Sequence, residues 1–347
     1  MHKSIALFLS LLIFSFVVTS SFLVPFINLL YKLKLTRKNQ KTKDFQNKPT
    51  PIFDRFHRHK VGTPVGGGFL MVCVISFLFA ILFPLVKYFG VFITYVYPIT
   101  EEINIIFFTF LSFAILGLYD DIMKFFKIKQ TGFFGLRLRH KFIIQCILSL
   151  IISLLLYQNL KIDIFYIPFI GVFKLGVFYI PLAAFIIVAF TNAVNITDGL
   201  DGLASGLLMI CLFAFWVLSA SILDTPLSFF ISLWLGSLIA FLYFNIYPAR
   251  IWLGDVGSLS FGATLAVVGL LLGKIMALVI IGGFFIVEIL SSLIQLLSKK
   301  FRGKKLFPVA PFHLWLQLIG WEEPKIVMRA WLAGLILALF GIWLAVI

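Results

Sequence analysis

Carboxylates gather in this sequence at places where an otherwise apolar chain has reason to avoid them. Asp120 and Asp121 are adjacent in the run Gly117-Leu118-Tyr119-Asp120-Asp121-Ile122-Met123-Lys124. Two neighbouring acids suit a hard divalent cation or a general base. The sequence places them at the end of a helix, where they would oppose its dipole, so helix stability does not account for them. Lys124 falls on their side if the helix continues. Asn192, Asn195 and Asp198 recur at every third position and lead into Gly199-Leu200-Asp201-Gly202. The two Asp-Gly steps permit a tight turn and close approach of backbone to a ligand. Asp201 alone could be a helix N-cap. Asp255 is a lone acid between glycines in Trp252-Leu253-Gly254-Asp255-Val256-Gly257-Ser258, expected just before a helix. Trp252 is either a stacking platform or an interfacial aromatic. His313 follows Ala310-Pro311-Phe312, close to a basic stretch, and Glu322 and Glu323 come shortly after. Glu288 and Gln295 lie seven apart in an apolar segment, so they share one helix face and point inward.

Carboxylates, amides and cations contributed by separate segments suit Mg²⁺-assisted phosphoryl transfer. The metal would neutralise a diphosphate, and the cations would hold its charge. Other chemistries find no support. There is no Walker A loop, and Gly66-Gly67-Gly68 follows no strand, so it is not a dinucleotide fingerprint. No Ser-His-Asp or thiol nucleophile arrangement stands out. Cys73, Cys146 and Cys211 lie in apolar runs without metal spacing and read as small buried hydrophobes.

The elements that must position these residues are membrane helices. The chain is 61% hydrophobic and 12% charged, which excludes an ordinary soluble domain at about 25% charged. Its 42 Phe suit lipid-facing surfaces. Apolar runs predict ten spans, near 5–31, 67–90, 103–119, 142–157, 176–193, 202–222, 227–246, 258–273, 276–297 and 328–347. The first is too long, and lacks the small-residue site, to be a cleavable signal. Of 29 Lys and Arg, 24 fall on one side of this arrangement. Positive residues favour the cytoplasm, so ten spans put both termini on the extracytoplasmic side and all the polar motifs on the cytoplasmic face. The net charge of +15 then suits anionic lipid and phosphorylated substrates, not nucleic acid. Residues 159–175 read as a small external β-hairpin. No internal repeat is visible, and the whole chain, 1–347, reads as one integral membrane domain.

With these motifs assembled, the sequence resembles the polyprenyl-phosphate N-acetylhexosamine-1-phosphate transferases, and among them the phospho-N-acetylmuramoyl-pentapeptide transferases. The resemblance spans nearly the whole chain. It rests on Gly62-Thr63-Pro64-x-x-Gly67-Gly68, Asp120-Asp121, the run Asn192–Gly202, and Gly254-Asp255-Val256-Gly257-Ser258. Val287-Glu288, Gln295, Gly303-Lys304-Lys305, Ala310-Pro311-Phe312-His313, Gly320-Trp321 and Pro324 follow in order. It implies an all-α polytopic enzyme of the bacterial inner membrane. Undecaprenyl phosphate would attack the sugar-linked phosphorus of UDP-N-acetylmuramoyl-pentapeptide, releasing UMP and leaving lipid I. The resemblance places Mg²⁺ on Asp255 and implicates Asp120 and Asp121 in metal, phosphate or lipid-phosphate handling, with Asp120 the first candidate for a base. Asn195 and Asp198 would help organise the diphosphate and metal, and Asn192 is a further candidate for substrate binding. Lys60, Gly199, Leu200 and Asp201 match a uridine pocket, with Trp252 at its stacking position. Lys124 and His313 match polar positions around phosphates and sugar, and Gln295 is a further candidate for substrate binding. A homodimer is left open.

Four positions depart from the pattern. Leu314 and Trp315 stand where the muramoyl branch has two further histidines, Phe134 replaces a lysine, and Val65 a threonine. All touch the sugar and phosphate side, and the carboxylates are kept. The alternative is therefore the same chemistry on UDP-N-acetylglucosamine or another UDP-N-acetylhexosamine, initiating a surface glycan. A transporter would need repeat symmetry and midplane polar residues. An inactive homologue would keep the fold without turnover.

Overall fold

In the computed structural model the described residues are 2–36, 56, 60–91, 93–126 and 138–347. Phe134 and most of the basic segment 37–59 lie outside them. In chain order the helices are α1 (His2–Lys32), α2 (Gly67–Tyr88), α3 (Ile99–Phe126), α4 (Leu138–Gln158), α5 (Tyr179–Thr197) and α6 (Leu203–Ser221). Then follow α7 (Thr225–Asn245), α8 (Gly254–Leu271), α9 (Ile275–Ile281), α10 (Gly283–Arg302), α11 (Phe312–Leu318) and α12 (Glu323–Val346). Among the described residues nine helices are long and apolar enough to cross a membrane, and α9 with α10 makes a tenth span, bent by 77°. Between α4 and α5, strands β1 (Ile164–Ile167) and β2 (Gly171–Lys174) pair antiparallel, Phe165 opposite Phe173.

α7 and α8 are enclosed along most of their length, whereas α1 and α4 are mostly peripheral. Phenylalanines such as Phe14, Phe77 and Phe185 are exposed on the outside of the bundle, as expected, and others are packed inside. Phe79, Phe107, Phe110, Phe229, Phe230 and Phe261 meet around Trp234, with Phe110 and Phe261 stacked at 5.9 Å. Helices separated only by apolar packing are also tied by hydroxyls. Ser260 donates to the Phe110 carbonyl at 2.6 Å, and Ser15 to that of Leu233 at 2.6 Å.

Small residues bring the site-bearing helices together. Gly117 of α3 lies directly against the Asp255 and Val256 backbone, and Gly68 of α2 against that of Gly257, leaving no space for a Cβ. The Thr63-Pro64 motif serves the same region. Trp252 N donates to Pro64 O at 2.9 Å, and Gly66, Gly67 and Gly68 donate back to the carbonyls of Trp252 and Leu253.

Three expectations need correction. α3 does not end at Asp120-Asp121 but runs on to Phe126, so the acids sit within it, and Lys124 follows on the same face. α8 begins at Gly254, which puts Asp255 in its first turn instead of in a preceding loop. The expected ninth span is broken at Gly282. In the first two cases charged and glycine residues dilute the apolar signal although the backbone remains helical.

Candidate active site

The first group of polar residues is built by α3, α4, α5 and α8. Lys124 Nζ lies 3.0 Å from Asp120 Oδ2, 2.9 Å from Asp255 Oδ2 and 4.0 Å from Asp121 Oδ1. Lys141 Nζ, from the first turn and a half of α4, lies 3.0 Å from Asp120 Oδ2 and also pairs with Asp255 Oδ2. Two ammoniums thus bridge the same two carboxylate oxygens. Asn195 of α5 donates to Ser258 Oγ at 2.7 Å and reaches Asp255 Oδ1 at 3.5 Å. Asp121 has a different position. Its Oδ2 accepts the Val256 amide at 3.2 Å, so it caps α8 from a neighbouring helix.

The second group forms where the α5–α6 turn meets the start of α12. The buried Lys60 donates to Asp201 Oδ1 at 2.9 Å, Glu323 Oε1 at 2.5 Å and the Gly199 carbonyl at 3.3 Å. Its ammonium lies 5.1 Å from the Trp252 ring centroid, within cation–π range. Asp201 Oδ2 accepts the Ala249 amide at 3.0 Å. Leu200 is buried beneath the turn. Gly202, at a φ of 78°, makes the left-handed step into α6 that a side chain would strain.

Asp198 closes α5 between the two groups. Packing around it, and then the charge of Asp255, push its carboxyl well above the usual carboxylate range, with Lys60 opposing. Gly199 meets the third group. A Cβ there would stand 2.6 Å from His313 Nε2. Glu288 fixes His313 twice, accepting from its backbone amide at 3.1 Å and meeting Nδ1 at 2.9 Å. With a carboxylate on Nδ1, Nε2 is turned to the Gly199 side.

Of the residues singled out from sequence, Asp120, Asp121, Lys124, Asn195 and Asp255 meet directly, and Lys60, Gly199, Asp201 and Trp252 form the adjoining group. Two are placed otherwise. Asn192 bonds Gln145 of α4 at 2.8 Å. Gln295 accepts the Leu306 and Phe307 amides and donates to the Phe307 carbonyl, shaping the loop before α11. Leu314 is buried, and Trp315 packs on Phe307 and Phe312 at 5.7 and 6.2 Å. Sequence reasoning missed Lys141 as a site residue. It counted only as a topology charge, although a cation in an early helical turn opposes the dipole just as terminal acids do. Glu323 was noticed among the acids of the cytoplasmic side but given no role, because its partner Lys60 is 263 residues away in the chain.

The carboxylate oxygens offered by Asp120 and Asp255, drawn from two helices onto one cationic centre, are hard donors that fit Mg²⁺. The arrangement can therefore offer Lys124 and Lys141 to phosphate oxygens beside carboxylates suited to a divalent ion, with the Lys60, Asp201 and Trp252 group a separate cluster.

That combination, in a bundle of membrane-spanning helices, is the equipment of a membrane transferase acting on phosphorylated substrates. Residues 103–273 match the family described as Glycosyl transferase family 4. Phospho-N-acetylmuramoyl-pentapeptide-transferase of Clostridium perfringens (strain SM101 / Type A) is 36% identical over 317 residues, 91% of this chain and 90% of its own length. The protein of that name from Clostridium novyi (strain NT) is 36% identical over 82% of this chain and 83% of its own. The one from Staphylococcus aureus (strain bovine RF122 / ET3-1) is 35% identical over 84% and 87%. The chain belongs to the phospho-N-acetylmuramoyl-pentapeptide-transferase family, and it is a multi-pass membrane enzyme.

Proposed function

We propose that this chain transfers phospho-N-acetylmuramoyl-pentapeptide from its UDP-linked donor to undecaprenyl phosphate, giving lipid I and UMP for peptidoglycan synthesis. The observation that carries this reading is the convergence of Asp120, Asp255, Lys124 and Lys141 beside the Lys60–Asp201–Trp252 group. A nucleoside diphosphate sugar needs both, a phosphate end and a nucleobase end.

In this reading the uridine lies against Trp252 and Lys60, and the diphosphate follows the Asn195–Gly202 turn toward Lys124 and Lys141. A lipid phosphate oxygen forms a bond to the sugar-linked phosphorus, and the bond from that phosphorus to UMP breaks. Lys124 and Lys141 hold the charge that shifts onto the departing oxygen. Asp121 fixes the N-terminus of α8 and so the position of Asp255. Asp120 and Asp255 would hold Mg²⁺, which supplies positive charge on the diphosphate oxygens. A phosphate monoester is nucleophilic near neutral pH, so Asp120 orients the acceptor more than it needs to deprotonate it.

The Lys and Arg bias supports a site on the cytoplasmic face of the bacterial inner membrane, both termini outside, with the whole chain acting as one unit. A second reading has a specific support. Leu314 is buried and Trp315 packs on Phe307 and Phe312, so neither position offers the imidazole that the muramoyl branch has there, which favours a different UDP-N-acetylhexosamine donor. UMP release separates the two. The purified protein with polyprenyl phosphate and Mg²⁺ is given each UDP-sugar alone. Release with the muramoyl-pentapeptide donor supports the first reading, and release only with UDP-N-acetylglucosamine overturns it in favour of the second.

A further inference from the structure

Glu323 stands outside every motif used so far, yet its carboxylate touches two residues of the nucleotide end. Its Oε1 accepts from Lys60 Nζ at 2.5 Å and from the Asp201 backbone amide at 2.6 Å. Both side chains are nearly inaccessible, at 2% for Lys60 and 5% for Glu323. An ammonium has three N–H donors, and here Asp201, Glu323 and the Gly199 carbonyl occupy three directions around it.

Charge balance does not call for Glu323. Asp201 already pairs with Lys60, and a second buried carboxylate adds desolvation cost. Nor is Glu323 needed to fasten α12 to the turn. Trp331, two turns further along α12, donates to the Gly202 carbonyl at 3.1 Å and packs directly against Gly206. Glu323 binds the side chain of Lys60 and the backbone of Asp201 through a single oxygen. Without it, Lys60, a long side chain with many rotamers, would keep only Asp201 and the Gly199 carbonyl to hold it beside Trp252.

We infer that Glu323 is a positioning residue for the nucleotide: by fixing the Lys60 ammonium and the Asp201 backbone beside Trp252, it sets affinity for the uridine end of the donor. This rests on the uridine reading of that group, and the test keeps the two separable. The full chain in nanodiscs is titrated with UMP by calorimetry, and KM and kcat are measured for the UDP-linked donor. Glu323→Gln keeps the shape and an acceptor oxygen but removes the charge. It is expected to weaken UMP binding about tenfold and to raise donor KM by a similar factor, with kcat and the KM for lipid phosphate kept. Glu323→Asp, which keeps the charge on a shorter arm, recovers part of the loss, and it takes the place of Glu323→Gln if that variant does not fold. If folded Glu323→Gln binds UMP as the wild type does while Lys60→Met does not, the inference is overturned and Glu323 is only a tie. A fall in kcat at constant KM overturns it too. If Lys60→Met and Trp252→Ala both bind UMP normally, the uridine reading itself fails.

Discussion

In the proposed reaction the five charged residues Asp120, Asp121, Lys124, Lys141 and Asp255 take different parts, and those parts predict different mutant behaviour. Asp120 and Asp255 each present one oxygen to both Lys124 and Lys141. Asp121 instead caps α8 through Val256. Lys141 comes from a separate helix and completes the cationic pair without touching the nucleobase group. Lys141→Met should therefore lower kcat by about a hundredfold and weaken UMP binding by a much smaller factor, because it removes charge stabilisation at the reacting phosphates and leaves the nucleobase group intact. Parallel loss of UMP binding would show that Lys141 supports the pocket as a whole. The carboxylates were legible in the sequence because acids are costly in an apolar chain. Lys141 was not, because basic residues near a membrane have a ready explanation in topology.

At the scale of elements, close helix approach decides where these side chains stand. Gly117 is one turn before Asp121 and lies against the first turn of α8. Gly117→Val would force α3 and α8 apart, at a cost of about 1–3 kcal/mol. The expected result is a lower thermal midpoint in detergent together with a large loss of turnover, read by unfolding fluorescence and UMP release. Far from the site, Asp224 caps α7 by accepting the Leu227 amide at 3.3 Å. Burial pushes its carboxyl up to about 6. A folded value above the unfolded one means that the native state binds the extra proton, so this contribution is full at low pH and declines as pH rises toward 6. Asp224→Asn, which keeps a capping oxygen, should flatten the midpoint-versus-pH curve between pH about 4 and 6. A curve unchanged by the substitution would assign the dependence to other groups. The apolar segments could be read directly as helices, since length and hydropathy define a span. Their ends could not. α3 continues through two acids and a lysine, α8 starts on a glycine, and the bend at Gly282 leaves no mark in an apolar count.

For the whole molecule, the parts that meet come from distant stretches of chain. Lys60, Asp120, Lys141, Asp201, Asp255, His313 and Glu323 are brought together by helix ends that gather at one end of the bundle. The sequence shows which ends are polar, and charge bias suggests that they share a side. Pairings such as Glu323 with Lys60, or Glu288 with His313, depend on how helices pack and have no sequence signal. The central claim is that the Asp120–Asp255 pair with its two lysines is the place of phosphoryl transfer, distinct from the nucleotide pocket. The most direct measurement compares lipid-linked sugar phosphate formation by wild type and Asp255→Asn across a Mg²⁺ titration, with UMP affinity measured alongside. The account predicts product formation about a hundredfold or more slower in the variant at every Mg²⁺ level, with UMP still bound. Near-normal product formation by folded Asp255→Asn would contradict it.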